Sequence, residues 1–383
     1  MNDFDKIINR NIPGDLKYEK IAGIDDLIPM WVADMDFQSP VEIREALADV
    51  ATNSVFGYTG AEPEYYKLVA EWFKKRYDWE VEKSLIMPLP GVIEGLVCTM
   101  RAFTKPDDHV LIFQPVYGMF EKSIRLNGRI PTISELKNVN GRYEVDLEDA
   151  EKKIIEDNVK MLFWCSPHNP GGRVWTMEEL EAVARLCARH NVFIVSDEIH
   201  ADLVLYGKKH IPFAKVSSDY TKNLVVLTSP TKSFNLAGIQ AANLIAFDKK
   251  VFKMIDHELF ATGAFEVNKM GVAATKAAYA YGEEWLEELL KYLEGNINLV
   301  AKELKDTKLK VMPQEATYLV WIDCSALKGD EPFSRTVLNK AHVRVSEGDF
   351  FGKSSRDFIR LNVACPRSLV KEALDRIKKL DIW

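Results

Sequence analysis

Asn223-Leu224-Val225-Val226-Leu227-Thr228-Ser229-Pro230-Thr231-Lys232-Ser233-Phe234-Asn235-Leu236-Ala237-Gly238 is the stretch on which the fold turns. Its opening is short, apolar and partly β-branched, as in a strand buried on both faces. Its continuation is a loop of turn-forming residues around one lysine. Short apolar segments of the same kind stand on either side: His109–Phe113, Val159–Cys165, Val192–Asp197 and Ala242–Phe247. Helical periodicity fills the gaps. In Met177–His190, Thr176 stands at the N-cap position and Glu179 three residues on, the pattern of a capping box. Alternating strands and helices predict an α/β fold with a largely parallel sheet covered by helices.

Outward from this body the pattern changes. From about Glu283 a long amphipathic helix is predicted through Leu304. Strand signals follow at Tyr318–Asp323, Val343–Val345 and Phe358–Val363, with a last helix near Leu369–Leu380. These read as a smaller α+β domain. The opening residues, with Pro13-Gly14 and Pro29, show little periodicity and are expected to wrap the body. The expected division is 1–45, a segment packing with the small domain; 46–282, the large domain; and 283–383, the small one.

Composition narrows the function classes. The 383 residues are 47% hydrophobic and 28% charged, with a net charge of −7, which suits a globular protein with an ample core. An acidic chain without long basic runs is not expected to bind nucleic acid or anionic membrane. No apolar run approaches the ~20 residues of a membrane-spanning helix. The N-terminal residues lack the basic and apolar regions of a secretion signal. Cys98, Cys165, Cys187, Cys324 and Cys365 are odd in number and widely spaced, so neither disulfides nor a metal site is expected. Reduced thiols in a cytoplasm are the simple expectation.

In an open α/β sheet, ligands gather beyond the carboxyl ends of the strands. Val159–Cys165 is followed by Ser166-Pro167-His168-Asn169-Pro170-Gly171-Gly172, which alone is an ordinary turn. Val192–Ser196 runs into Asp197-Glu198-Ile199-His200, where the aspartate alone is most simply a helix cap. Lys232, alone, is a solvated surface charge. Together the three loops place an Asn, an Asp and a Lys, in that order, at the ends of successive strands.

Asn-Pro-Gly, Asp-Glu and Ser-x-x-Lys in this order resemble the fold-type I enzymes of pyridoxal 5′-phosphate (PLP), the aspartate aminotransferase superfamily. Pro29-Met30-Trp31-Val32-Ala33-Asp34-Met35-Asp36-Phe37, Ser196–His200 and Phe358–Arg367 are similar to its MalY/PatB-type cystathionine β-lyases, and the resemblance spans nearly the whole chain. It implies a mostly parallel seven-stranded sheet in the large domain and the following roles. Lys232 holds PLP as a Schiff base and removes the substrate Cα proton, for which burial would favour a neutral amine. Asp197 keeps the pyridine nitrogen protonated. Asn169 donates to the 3′-oxygen, and Tyr117 stacks on the ring rather than being a plain core tyrosine. The phosphate meets the Gly91, Val92 and Ile93 amides, with Ser229 and Thr231 adding hydroxyls. Tyr58 reaches the phosphate of a neighbouring subunit, so a homodimer with a shared site is implied. Arg360, otherwise a surface arginine, grips the substrate carboxylate, with Asn169, Tyr58 and Trp31 near it. His200 stands near the cofactor where the aminotransferase has a tyrosine, and Gln240 where it has a phosphate-binding arginine; both departures speak against a dicarboxylate aminotransferase.

The reaction implied is α,β-elimination on a sulfur amino acid: cystathionine, cysteine or a related S-substituted cysteine gives thiol, pyruvate and ammonia. Homocysteine from cystathionine would serve methionine synthesis. Two rivals stand beside it. An aminotransferase shares every step up to Cα deprotonation but needs a keto-acid acceptor. A regulator with a PLP-binding domain would carry a basic DNA-binding module, and this chain opens almost directly on the enzyme-like segment.

Overall fold

The structure, a computed structural model, describes residues 2–216, 223–264, 267–327, 331–380 and 382–383. In chain order its strands are β1 (Ile28–Met30), β2 (Ile86–Leu89), β3 (His109–Gln114), β4 (Ile130–Glu135), β5 (Lys137–Val139), β6 (Arg142–Glu144), β7 (Met161–Cys165), β8 (Phe193–Asp197), β9 (Leu224–Thr228), β10 (Ala242–Ala246), β11 (Lys310–Val311), β12 (Leu319–Asp323), β13 (Val343–Glu347) and β14 (Phe358–Asn362).

A seven-stranded sheet has the order β2-β10-β9-β8-β7-β3-β4. Neighbours from β9 to β4 run parallel, while β10 is antiparallel to both β9 and β2. The mostly parallel α/β architecture expected from the alternation is therefore present. Alternate residues enter separate cores on the two faces: Val110 and Ile112 on one, Leu111 and Phe113 on the other, and likewise Val225 and Leu227 against Leu224 and Val226. Burial of both faces explains why these strands read as unbroken apolar runs.

A five-stranded sheet has the order β1-β13-β14-β12-β11. Its cover includes the helix Glu283–Leu304, which buries Leu286, Leu289, Leu293, Ile297 and Val300 along one stripe. β1 pairs parallel with β13, so the opening residues supply a strand to a sheet whose other strands lie after residue 309.

Strands β1, β2 and β4 are absent from the sequence reading, and they share one feature. Each contains a proline (Pro29, Pro88, Pro131), and each lies at the edge of its sheet. Proline lacks a ladder donor and weakens a strand pattern; at an edge, one side of the strand needs no donor.

The order of the large sheet also builds the site. β7, β8 and β9 are adjacent and parallel, with Cys165 opposite Asp197 and Asp197 opposite Leu227. Their three C-terminal loops must therefore emerge side by side. β3 and β2 point the same way and deliver Tyr117 and Gly91 to the same edge.

Candidate active site

Each side chain has a local reason for its place. Ser229 caps a single helical turn, Pro230–Ser233, by accepting from the Thr231 amide at 3.0 Å, and proline suits the first position of a helix. Lys232 rides on that turn. The next residue, Ser233, donates to buried Asp202 at 2.7 Å, and Asp202 also accepts from the Trp72 indole at 3.0 Å. Asp197 ends β8, and one of its oxygens accepts the Ile199 amide at 3.1 Å. Behind it, buried Glu198 is held by Ser196, the Phe213 amide and His210.

A cavity of about 290 Å³ lies at this edge of the sheet. Gly91, Val92, Ile93, Tyr117, Asn169, Asp197, His200, Ser229, Thr231 and Lys232 all line it, together with Ala33 and Gln240. Larger hollows lie along Lys249–Glu258 and Asn11–Lys20, but both are more open to solvent and neither contains any of these groups.

Three expected residues stand apart from this lining. Arg360, on the central strand β14, is buried and donates to Asn169 Oδ1 at 3.0 Å, to the Trp31 carbonyl at 3.0 Å and to Ser346 at 3.1 Å. Its Nε has no partner among the described residues. The Trp31 ring turns away: its Nε1 donates to the Lys17 carbonyl, and the Arg344 guanidinium lies 3.8 Å from its centre. The Trp31 carbonyl is what meets Arg360. Tyr58 is fully exposed, beside exposed Val55 and Phe56, and is not brought into this chain's cavity.

Burial sets the electrostatics. It pushes Lys232 down to about 8, helped by Arg360 and opposed by Asp34 and Asp197. It pushes Asp197 up to about 7, while Lys232 and the Ile199 amide pull the other way. It pushes His200 down to about 3, with the Lys232 and Arg360 charges adding to the effect, so the imidazole is neutral. Arg360 falls to about 10 yet stays charged at neutral pH. A lysine of lowered basicity beside a buried carboxylate in a cleft is the arrangement of a reactive site.

The donor set fits PLP. The helix Val92–Phe103 starts at Gly91 with no side-chain cap, leaving its first amides free for an anion. A Cβ on Gly91 would enter open space, and its absence leaves room at the helix start. Asp197 is buried with the Ile199 amide on one oxygen, and among the described residues the buried Nδ1 of His200 has no partner. An anion, a ring cation and a polar ring substituent would complete these groups.

Several contributors were not read from the sequence. The Ala33 carbonyl accepts from Lys232 Nζ at 2.6 Å and from the Tyr318 hydroxyl at 3.0 Å. Asn235, at a left-handed φ of 55°, ties the loop after Lys232 to Met35 and Phe37. A carbonyl leaves no trace in sequence. Asn235 did lie within the deciding stretch, and an asparagine three residues after the lysine was a usable signal.

Comparison with known proteins agrees with this geometry. The family model "Aminotransferase class I and II" matches residues 25–377. PatB of Bacillus subtilis (strain 168), named a cystathionine β-lyase, is 38% identical over 98% of this chain and 99% of its own. Cystalysin of Treponema denticola, solved with PLP, superposes with a TM-score of 0.96 at 32% identity over 99% of this chain and 98% of its own. A PLP-bound C–S lyase of Staphylococcus hominis gives a TM-score of 0.93 at 34% identity over 99% and 97%. The chain belongs to the aminotransferase class I and II family, in its MalY/PatB-type branch.

Proposed function

We propose that this protein is a PLP-dependent carbon–sulfur β-lyase. Its substrates are L-cystathionine, L-cysteine or related S-substituted cysteines, and its products are thiol, pyruvate and ammonia. The observation that carries the reading is the cavity in which Lys232, Asp197 and Asn169 meet beside an uncapped helix start. Cystathionine β-lyase and C–S lyase names among the relatives favour elimination over aminotransfer.

PLP bound here supplies an electron-accepting ring that stabilises the negative charge left at the substrate Cα. Lys232 is the group that binds it covalently. Once released, its amine takes the Cα proton, and its lowered basicity keeps part of it neutral at working pH. Asp197 holds a proton on the ring nitrogen by opposing its charge. Asn169 spends its oxygen on Arg360, which leaves its Nδ2 as the donor to the 3′-oxygen. Arg360, aimed by three acceptors, takes the substrate carboxylate. The Lys232 ammonium can return its proton to the departing sulfur. The aminoacrylate set free hydrolyses to pyruvate and ammonia. Tyr117 would stack on the ring, and Phe350 holds Tyr117 edge-on at 5.8 Å.

The finer assignments belong to the same proposal. Exposed Tyr58 is read as reaching a second copy's site, so the enzyme is a homodimer. It works in the cytoplasm; among the described residues no helix is long and apolar enough to cross a membrane. Its domains are divided as 1–45, 46–282 and 283–383, a division supported by the pairing of β1 with β13.

The test is a cystathionine assay without keto acid, following pyruvate and free thiol. Both are expected at equal, catalytic rates. Bleaching of the cofactor band in a single turnover, with recovery only on adding a keto acid, would make the protein an aminotransferase.

A further inference from the structure

Residues 5–18 form neither helix nor strand, so no backbone ladder holds them. Side chains do. Arg10 uses all five of its N–H donors. Its Nε and Nη2 fork onto Asp15 at 2.9 and 3.0 Å, and its Nη1 and Nη2 fork onto Asp34 at 3.1 and 2.7 Å. Nη1 also reaches Asp36 at 2.7 Å and the Met35 carbonyl at 3.1 Å. Lys17, only 1% exposed, lies 2.9 Å from Asp36 and 3.5 Å from Asp34, and Tyr18 donates to the second Asp36 oxygen. Two cations thus grip three carboxylates, and Lys17 and Asp36 are out of water. Such a group is costly to dehydrate and is no evidence for stability. It does fix geometry, because each partner is bound in more than one direction.

What it fixes is the wall of the active site. Each carbonyl from Trp31 to Met35 accepts a side-chain donor: Arg360 at Trp31, Asn362 at Val32 and Asp34, Lys232 with Tyr318 at Ala33, and Asn235 with Arg10 at Met35. The reactive amine and the guanidinium therefore rest on carbonyls of one short segment, and Arg10 and Lys17 clamp that segment from its other side. We propose that Arg10 and Lys17 are positioning residues of the active site. By locking Asp34 and Asp36 they set where the Ala33 carbonyl holds Lys232 and where the Trp31 carbonyl holds Arg360. This rests on the reading of Lys232 and Arg360 given above. A shift of the segment moves both groups together, and a misplacement of about 1 Å at a reacting group costs on the order of a hundredfold in rate.

The test uses PLP-loaded Arg10→Met and Arg10→Lys variants. It measures kcat and KM for cystathionine, cofactor dissociation by dialysis, and visible circular dichroism of the cofactor band. Arg10→Met is expected to lower kcat by about tenfold or more and to raise KM, since amine and carboxylate grip are displaced together. The cofactor dichroism should change. Arg10→Lys keeps the charge but not the fork, so it should lose about three- to tenfold in kcat/KM. Should Arg10→Met fail to fold, the lysine variant carries the test alone. Parental kcat, KM and dichroism in Arg10→Lys, with only a lower unfolding temperature, would reduce the cluster to a structural fastening and overturn the proposal. Should Lys232→Ala retain full activity, the reading of the site itself is lost, a failure that the Arg10 series alone does not produce.

Discussion

Two regions meet at the active site, and they are held in place by different means. The sheet edge that presents Asn169, Asp197 and Lys232 hangs on parallel strands whose backbone groups are paired and whose faces are both buried. The segment Trp31–Asp36, which faces it, has no ladder, and its carbonyls from Trp31 to Met35 accept from side chains scattered along the chain, from Arg10 to Asn362. A strand pair fixes position through repeated identical bonds, so one lost side chain matters little to it. A segment held by side chains depends on each of them. Lys232 and Asp197 project from the first region, while carbonyls of the second hold Lys232 and, from the smaller sheet, Arg360.

The largest expected effect breaks the sheet-edge side of this comparison without disturbing its ladder. Lys232→Ala should lower turnover of cystathionine by about 10³-fold or more, with little change in fold, since a positioned general base alone is worth 10²–10⁴. Steady-state kinetics with far-ultraviolet dichroism checks both halves of that statement. Normal turnover would remove the lysine from the mechanism.

Arg360→Lys tests the aiming side. The variant keeps a cation but cannot reach Asn169, Ser346 and the Trp31 carbonyl together. Its kcat/KM should fall by about 10- to 100-fold, mostly through KM, which is the scale of one charged hydrogen-bonded contact. A fall confined to kcat would mean that the arginine orders the wall and does not grip substrate.

The smallest effect is a pH dependence. With Lys232 near 8 in the cofactor-free protein, its amine is neutral above that pH and protonated below it. Capture of added PLP requires the neutral form, so its rate should rise with pH and level off above about 8. The rate at pH 7 should be about one-tenth of the plateau, one pH unit corresponding to one tenfold step. Stopped-flow absorbance measures it. A rate still climbing about tenfold per pH unit at pH 9, with no plateau, would mean that the amine is not desolvated, and the contrast between a dry sheet edge and its surroundings would weaken.

How much of this was legible follows from what each feature writes into a sequence. Central strands buried on both faces are apolar runs, and β3, β7, β8, β9 and β10 were read within a residue or two of their ends. The capping box at Thr176 and Glu179 is a local pattern and was read with both of its bonds. Edge strands with Pro29, Pro88 and Pro131 were not, because proline marks a break unless one knows that the strand lies at an edge. Ten expected site residues share the cavity because loops following adjacent parallel strands must emerge together. Trp31, expected near Arg360, meets it through its carbonyl, while its ring is held by Lys17 and Arg344.

The sequence by itself determined the alternation of elements, the order of the Asn, Asp and Lys loops and the family. All three are written in local pattern and spacing. Only the tertiary structure decided that a ladderless segment near the N-terminus would lie between Lys232 and a buried ionic cluster, and that Arg360 from the far end of the chain would rest on the same segment. Those contacts join residues separated by up to 329 positions through backbone carbonyls, which are the same in every amino acid and leave no mark on a sequence.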